Sequence, residues 1–234
     1  MKLTLRKSRE RGHADHGWLN SFHTFSFADY HDPRHMGFRS LRVINEDWIA
    51  PGKGFGTHPH RDMEIFTVMV EGTLEHKDSL GNGRQIAPGQ IQVMCAGTGV
   101  THSEFNPSQT EPCHLLQIWI HPERRGLTPS YTEWRPDPAK ADAEKTLIIS
   151  RDGREGSATM HQDADVWRLR MLAGESVTHE ITAGRGAWLQ IIEGTLDVNG
   201  TGIGAGDALC TEDAGTLVIT PRAGKTDALL FDLA

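Results

Sequence analysis

The chain has 234 residues, with 24 Lys+Arg against 31 Asp+Glu, 13 His, 25 Gly and 3 Cys, and a formal net charge of −7. This length holds one large domain or two small ones, and the acidic balance argues against nonspecific nucleic-acid binding, which needs a basic surface to displace counterions. Cys95, Cys113 and Cys210 are too few and odd in number for a disulfide framework and read as reduced thiols.

Along the chain, residues 1–12 (MKLTLRKSRERG) turn charged before an apolar signal core can form. No uncharged apolar stretch approaches the roughly 18 residues of a membrane helix, so a soluble, cytoplasmic protein is expected. Period-two alternation then dominates. Residues 67–70, 89–94, 115–120, 188–192 and 229–231 are short apolar or alternating runs bounded by Gly, Pro, Asn or Asp, and are predicted as strands. Residues 121–138 hold four of the 11 prolines and read as a connector, followed by a short helix-friendly piece at 139–145. Many short strands with Gly-rich turns predict an all-β protein of sandwich or barrel type.

A repeat sharpens the division. Glu71-Gly72-Thr73-Leu74 recurs as Glu193-Gly194-Thr195-Leu196, an offset of 193 − 71 = 122, and Gly52 matches Gly174 at the same offset. Pro88-Gly89 is echoed by Ala205-Gly206. Three landmarks in one order predict a duplicated β-barrel, with domains at 1–130 and 131–234. The copies differ in histidine: 11 of the 13 lie in the first 121 residues. Where the first copy reads Thr57-His58-Pro59-His60, the second reads Thr178-His179-Glu180-Ile181, and near the counterpart of His102 it has only Leu217-Val218-Ile219-Thr220. One metal-capable half and one degenerate half is the economical reading.

The constellation with chemistry is His58-Pro59-His60 together with Thr101-His102-Ser103-Glu104. On a strand, residues i and i+2 share a face, so His58 pairs with His60 and His102 with Glu104. Two such strands facing each other inside a barrel would converge three imidazoles and a carboxylate on one point. That donor set suits a divalent Fe, Mn, Ni, Cu, Co or Zn ion, and four protein ligands leave positions open for water, dioxygen or a chelating substrate. Glu64 shares the parity of His58 and His60 and is a reserve ligand if the strand runs unbroken. Cys95 reads as a buried, inert thiol, His76 and His114 as strand-surface or core histidines, and His161-Gln162-Asp163 as a surface turn. His13, His16, His23, His31 and His35 lack a tight spacing and are best taken as loop packing, with gating of the barrel mouth or binding of a second ion as the alternatives. Phe25, Phe27 and Phe55 are expected in the core, with a second role as a stacking platform beside the metal.

These residues carry a resemblance. The stretch from Gly52 through His58-Pro59-His60-Arg61-Asp62-Met63-Glu64, then Glu71-Gly72-Thr73-Leu74-Glu75-His76-Lys77-Asp78-Ser79, and Ala96-Gly97-Thr98-Gly99-Val100-Thr101-His102-Ser103-Glu104-Phe105-Asn106 resemble the first-barrel motifs of the pirin family, within the cupin superfamily. His23-Thr24-Phe25-Ser26-Phe27-Ala28-Asp29-Tyr30 and Met36-Gly37-Phe38 are similar to the pirin N-terminus. The match is dense in the first half and loose in the second.

The resemblance implies a bicupin, two tandem jelly-roll-like β-barrels joined by a short helical connector, with one metal in the N-terminal barrel. It places the ligands on His58, His60, His102 and Glu104, demotes Glu64, and puts Fe(II) first among the metals. Bacterial pirins act as quercetin 2,3-dioxygenases, opening the flavonol heterocycle with O2 and releasing carbon monoxide; animal pirins are nuclear iron proteins that modulate transcription factors. The expected reading is therefore a ring-cleaving dioxygenase in which Glu104 is both ligand and base. Its expected partners are a flavonol-like aromatic and O2, with no nucleic acid and no membrane, and the chain acts as a monomer. An iron-dependent regulatory protein without turnover is the alternative.

Overall fold

The computed structural model describes residues 1–140 and 143–234. The strands are β1 (Thr4–Arg6), β2 (Gly12–Asp15), β3 (Leu19–His23), β4 (Leu41–Ile49), β5 (Gly54–His60), β6 (Glu64–Glu71) and β7 (Leu74–Asp78). There follow β8 (Gly83–Ile86), β9 (Ile91–Cys95), β10 (Val100–Phe105), β11 (Cys113–Ile120), β12 (Ser130–Trp134) and β13 (Lys145–Ser150). The last are β14 (Ala158–Thr159), β15 (Ala164–Leu172), β16 (Val177–Ile181), β17 (Gly186–Val198), β18 (Thr201–Gly204), β19 (Ala208–Thr211) and β20 (Gly215–Leu233). Among the described residues no helix is long and apolar enough to cross a membrane. The helix-friendly stretch at 139–145 gives only a 3-10 turn at Pro138–Lys140 and strand from Lys145; residues 141–142 of it lie outside the described residues.

The chain divides into two compact units. One comprises Gly12–Pro136 and Ala158–Gln162. Its larger sheet runs β12-β9-β6-β11-β4-β3-β2 and its smaller sheet β5-β10-β7-β8, with antiparallel pairing throughout. The central strands β6 and β11 are buried on both faces, which explains why they read as apolar runs. Core clusters form around Leu19, Ile49, Met69, Leu74, Ile86 and Leu115, and around Ile65, Met94, Ala96 and Val100.

The other unit comprises Met1–Arg11, Asp137–Ser157 and Asp163–Ala234. Its strands run β1-β19-β17-β20-β15-β13, with β16 on β20 and β18 on β17. Leu169, Leu189, Leu196, Leu217, Ile219 and Leu230 are among its buried core, against which Leu3 and Leu5 pack. The repeat is visible at matched corners: Gly72 and Gly194 both have positive φ (74° and 82°). In both, a Cβ would collide with the chain alongside, at 2.8 Å from Cys113 Cβ and 2.4 Å from the Lys225 carbonyl. The architecture is all-β with two cupin domains, as expected; the sheets are of jelly-roll type and do not close into a barrel.

Candidate metal centre

Strand β5 carries His58 and His60, and β10 carries His102 and Glu104. They are neighbours in the smaller sheet, so the two histidine strands lie side by side and do not face each other across a barrel. In the register His58 is opposite His102, and a bulge between His102 and Glu104 sets Glu104 opposite Phe55. Pro59 lacks a backbone N–H and is tolerated because β5 is the edge of its sheet. Gly54 admits the bulge: a Cβ there would lie 2.1 Å from the Glu104 carbonyl oxygen and 2.5 Å from Phe105 Cα.

The ligand atoms of His58, His60 and His102 lie within 4.8 Å of one another, and those of His76, His102 and Glu104 form a second such group sharing His102. The four predicted residues are thus linked through His102, with Glu104 grouped on the His76 side. His58, His60 and Glu104 line one cavity of about 550 Å3.

Hydrogen bonds decide which ring nitrogens carry protons. His58 Nδ1–H donates to the Gly56 carbonyl at 2.8 Å, leaving Nε2 a lone pair. His76 Nε2–H donates to Asp78 Oδ2 at 3.0 Å, which leaves His76 Nδ1 a lone pair that accepts when His102 carries its proton on Nδ1, at 3.3 Å; in that tautomer His102 Nε2 is also a lone pair. These two lone pairs face each other at 3.1 Å. Two of the rings are held neutral: burial, reinforced by the neighbouring histidines, holds His102 down at about 2, and burial with His58 beside it holds His60 down at about 4. His60 Nε2 is buried with no hydrogen-bond partner. Three converging imidazoles, one with a buried nitrogen that has no hydrogen-bond partner, fit a divalent transition metal.

Glu104 completes the chemistry. Burial, and then the Asp47 carboxylate, push it up to about 7, against amide donors that favour its ionised form. Those donors are Gln92 Nε2 at 3.2 Å and Gln117 Nε2 at 3.4 Å, themselves tied together through Thr67 Oγ1. Asp47, which receives a hydrogen bond from Ser21, is likewise pushed by burial to about 7 and lines the same cavity.

Several residues fall elsewhere than the sequence pattern suggested. The strand breaks between His60 and Glu64, where Asp62 takes a left-handed φ of 51°, so parity does not carry across. Glu64 points away from the site, to His161 Nδ1 at 3.1 Å. His13, His16 and His23 line the cavity, and His31 and His35 do not. Phe27 and Phe55 line it too, whereas Phe25 is core. The residues missed were His76 and Asp78; their i, i+2 spacing on β7 is a signal that could have found them. In the other unit, His179 faces Leu217 in the register, and its two nitrogens contact Asp232 at 2.7 Å and Lys145 at 3.0 Å. Among the described residues that unit has no cluster of metal-ligating side chains.

The chain is similar to known proteins over nearly its whole length. The Pirin family profile matches residues 4–120, and the profile described as "Quercetinase C-terminal cupin domain" matches residues 147–233. A protein of Escherichia coli (strain K12) named quercetin 2,3-dioxygenase is 50% identical over 231 residues, covering 99% of this chain and 98% of the relative. The crystal structure of YhhW from Escherichia coli superposes with a TM-score of 0.96 at 50% identity, covering 100% of this chain and 98% of that one. A second structure, of the bacterial pirin YhhW in complex with nickel(II), gives a TM-score of 0.94 at 50% identity, covering 99% of each chain.

Proposed function

Because the chain belongs to the pirin family of cupin proteins, and its histidine lone pairs converge beside a buried carboxyl, we propose that it is a metal-dependent dioxygenase opening the ring of a quercetin-like flavonol with O2 and releasing carbon monoxide. His58, His60, His102 and Glu104 would hold one divalent metal, Fe(II) first, with Mn, Ni, Cu, Co and Zn as alternatives; the relative's nickel(II) complex makes Ni a direct comparator. The single observation that carries the reading is the convergence of His58, His60 and His102, whose ligand atoms lie within 4.8 Å of one another, with His58 Nε2 and His102 Nε2 3.1 Å apart beside the cavity that His58 and His60 line.

The bound metal would act as a Lewis acid that lowers the pKa of a substrate hydroxyl and admits dioxygen chemistry. The protein supplies the rest. The cavity walls include Phe27, Phe55, Leu74, Leu115 and Trp119, which match a flat aromatic and exclude water. Glu104, a buried carboxylate on the cavity wall, accepts the proton of the flavonol 3-hydroxyl at a carboxylate oxygen. Asn45 Oδ1 is buried without a partner on the same wall and accepts a hydrogen bond from a phenolic hydroxyl. His76 and Asp78 hold the tautomer of His102.

The test is loss of flavonol absorbance under air and under nitrogen, with carbon monoxide measured in the headspace, after loading with each metal in turn. His60→Ala and Glu104→Ala should lose both metal and bleaching. Oxygen-independent or absent bleaching with every metal would overturn turnover and leave the regulatory reading.

A further inference from the structure

Glu64, Cys95 and His161 are left unused by this chemistry, and the fold brings them together. Glu64 and Cys95 are register partners on the adjacent strands β6 and β9, so their side chains emerge on one face. That face is turned away from the cavity. Thr67 and Gln92, each three residues along the same strands, point to Glu104, and an odd offset reverses the side. His161, from the segment that returns to this unit after β14, reaches over the pair.

We propose that Glu64, Cys95 and His161 form a second cation site, taking a borderline divalent ion such as Zn(II) or Co(II), separate from the histidine centre. The three ligand atoms lie within 4.8 Å of one another. Donors around a four-coordinate zinc stand roughly 3.3–3.8 Å apart, so a small closing movement completes the set. Glu64 and Cys95 are buried, at 1% and 2% exposure, and a carboxylate there calls for a compensating cation. His161 is the only charge partner Glu64 has in the described contacts, and its own side chain is 46% exposed, which leaves an entry path and a position for water.

The charges balance. A carboxylate, a thiolate and a neutral imidazole neutralise a divalent ion. Binding breaks the Cys95 S–H bond and forms a metal–sulfur bond; the proton leaves to solvent, and no electron is transferred. The sulfur donor distinguishes this site from the nitrogen and oxygen set of the histidine centre and selects a softer ion.

The protein as purified is titrated with Co(II), reading metal per chain together with the thiolate-to-cobalt charge-transfer band in the near ultraviolet, which nitrogen and oxygen donors do not produce. The expected result is a second equivalent accompanied by that band. Both vanish in Cys95→Ser and are weakened in His161→Ala, a change at a half-exposed side chain that keeps the test open if the buried variant misfolds. His60→Ala should lose the histidine-centre equivalent and keep the band, so failure at one centre is distinguishable from failure at the other. Absence of the band in the wild-type protein overturns the proposal. So does a band that survives Cys95→Ser, which would place the sulfur at Cys113 or Cys210.

Discussion

Replacing His76 by Phe isolates the role of a histidine that is not itself among the proposed metal ligands. The substitution keeps an aromatic ring to stack on Tyr131, now 4.8 Å away between centroids, at a slightly larger volume, and loses the Nδ1 atom that lies 3.3 Å from His102 Nδ1. Both His76 and Asp78 have side chains of zero exposure, so no water replaces the lost acceptor. His102 is then free to place its proton on Nε2, the nitrogen required for a metal. Outer partners of this kind are worth about ten- to a hundredfold in metal affinity, or about 1.4–2.8 kcal/mol. With that proton donated to His58 Nε2, the buried His102 Nδ1 is left without a partner and adds about 1–3 kcal/mol of destabilisation, which for a domain of this size lowers Tm by about 2–4 °C per kcal/mol. Metal affinity is read by competition with a chelator of known strength, and folding by thermal unfolding of the metal-free protein. His76→Asn, which restores an acceptor, should recover part of the affinity. An affinity unchanged within about twofold, alongside a lowered Tm, would refute tautomer control and reduce His76 to packing.

Other predictions follow from the same geometry. Glu104 is pushed up to about 7, while burial lowers His60 and His102, so metal binding near neutrality displaces a proton from Glu104; affinity should fall about tenfold per pH unit below 7, and Glu104→Gln should flatten that slope while weakening binding. In the metal-free protein the sign reverses: the folded state keeps a proton on Glu104 that the unfolded chain releases near 4.5, so this group's contribution to stability is lost as pH rises from about 4.5 to about 7, and denaturant titrations of wild type and Glu104→Gln should diverge across that window. Gly54→Ala drives a methyl into the Glu104 carbonyl, and should destabilise by about 1–3 kcal/mol in denaturant titration and displace Glu104 enough to reduce metal retention. Leu217→His should add no metal equivalent to the other unit, measured by metal analysis, because the facing His179 already contacts Asp232 and Lys145.

Strand parity made much of the site legible. The HxH and HxE spacings require each pair to share a face, and the pairs do meet through His102. Parity is local, however, and one left-handed residue resets it. Asp62 ends the strand, and Glu64, in phase with His58 and His60 on paper, emerges on the opposite face of the next strand. Spacing also carries no information on whether two strands pair edge to edge or face each other. That choice depends on the hydrogen-bonded register, here set by a bulge that only a glycine at position 54 admits.

Polar residues inside a strand were hardest to read. Asn45, Glu46 and Asp47 are consecutive in β4, and alternation assigns at least one to solvent, yet all three are buried because that strand is covered on both faces. Their burial is made tolerable by partners far away in sequence: Ser21 for Asp47, and His114 at 3.0 Å for Glu46. Asp47 then raises the pKa of Glu104 across the cavity, although 57 residues separate the two along the chain. The proton-accepting power of the proposed base is therefore a property of the folded cavity. The HxE motif puts the carboxyl on the strand, and burial, together with Asp47 on a strand whose polar residues resemble an ordinary solvent face, raises the pH at which that carboxyl titrates in the metal-free protein.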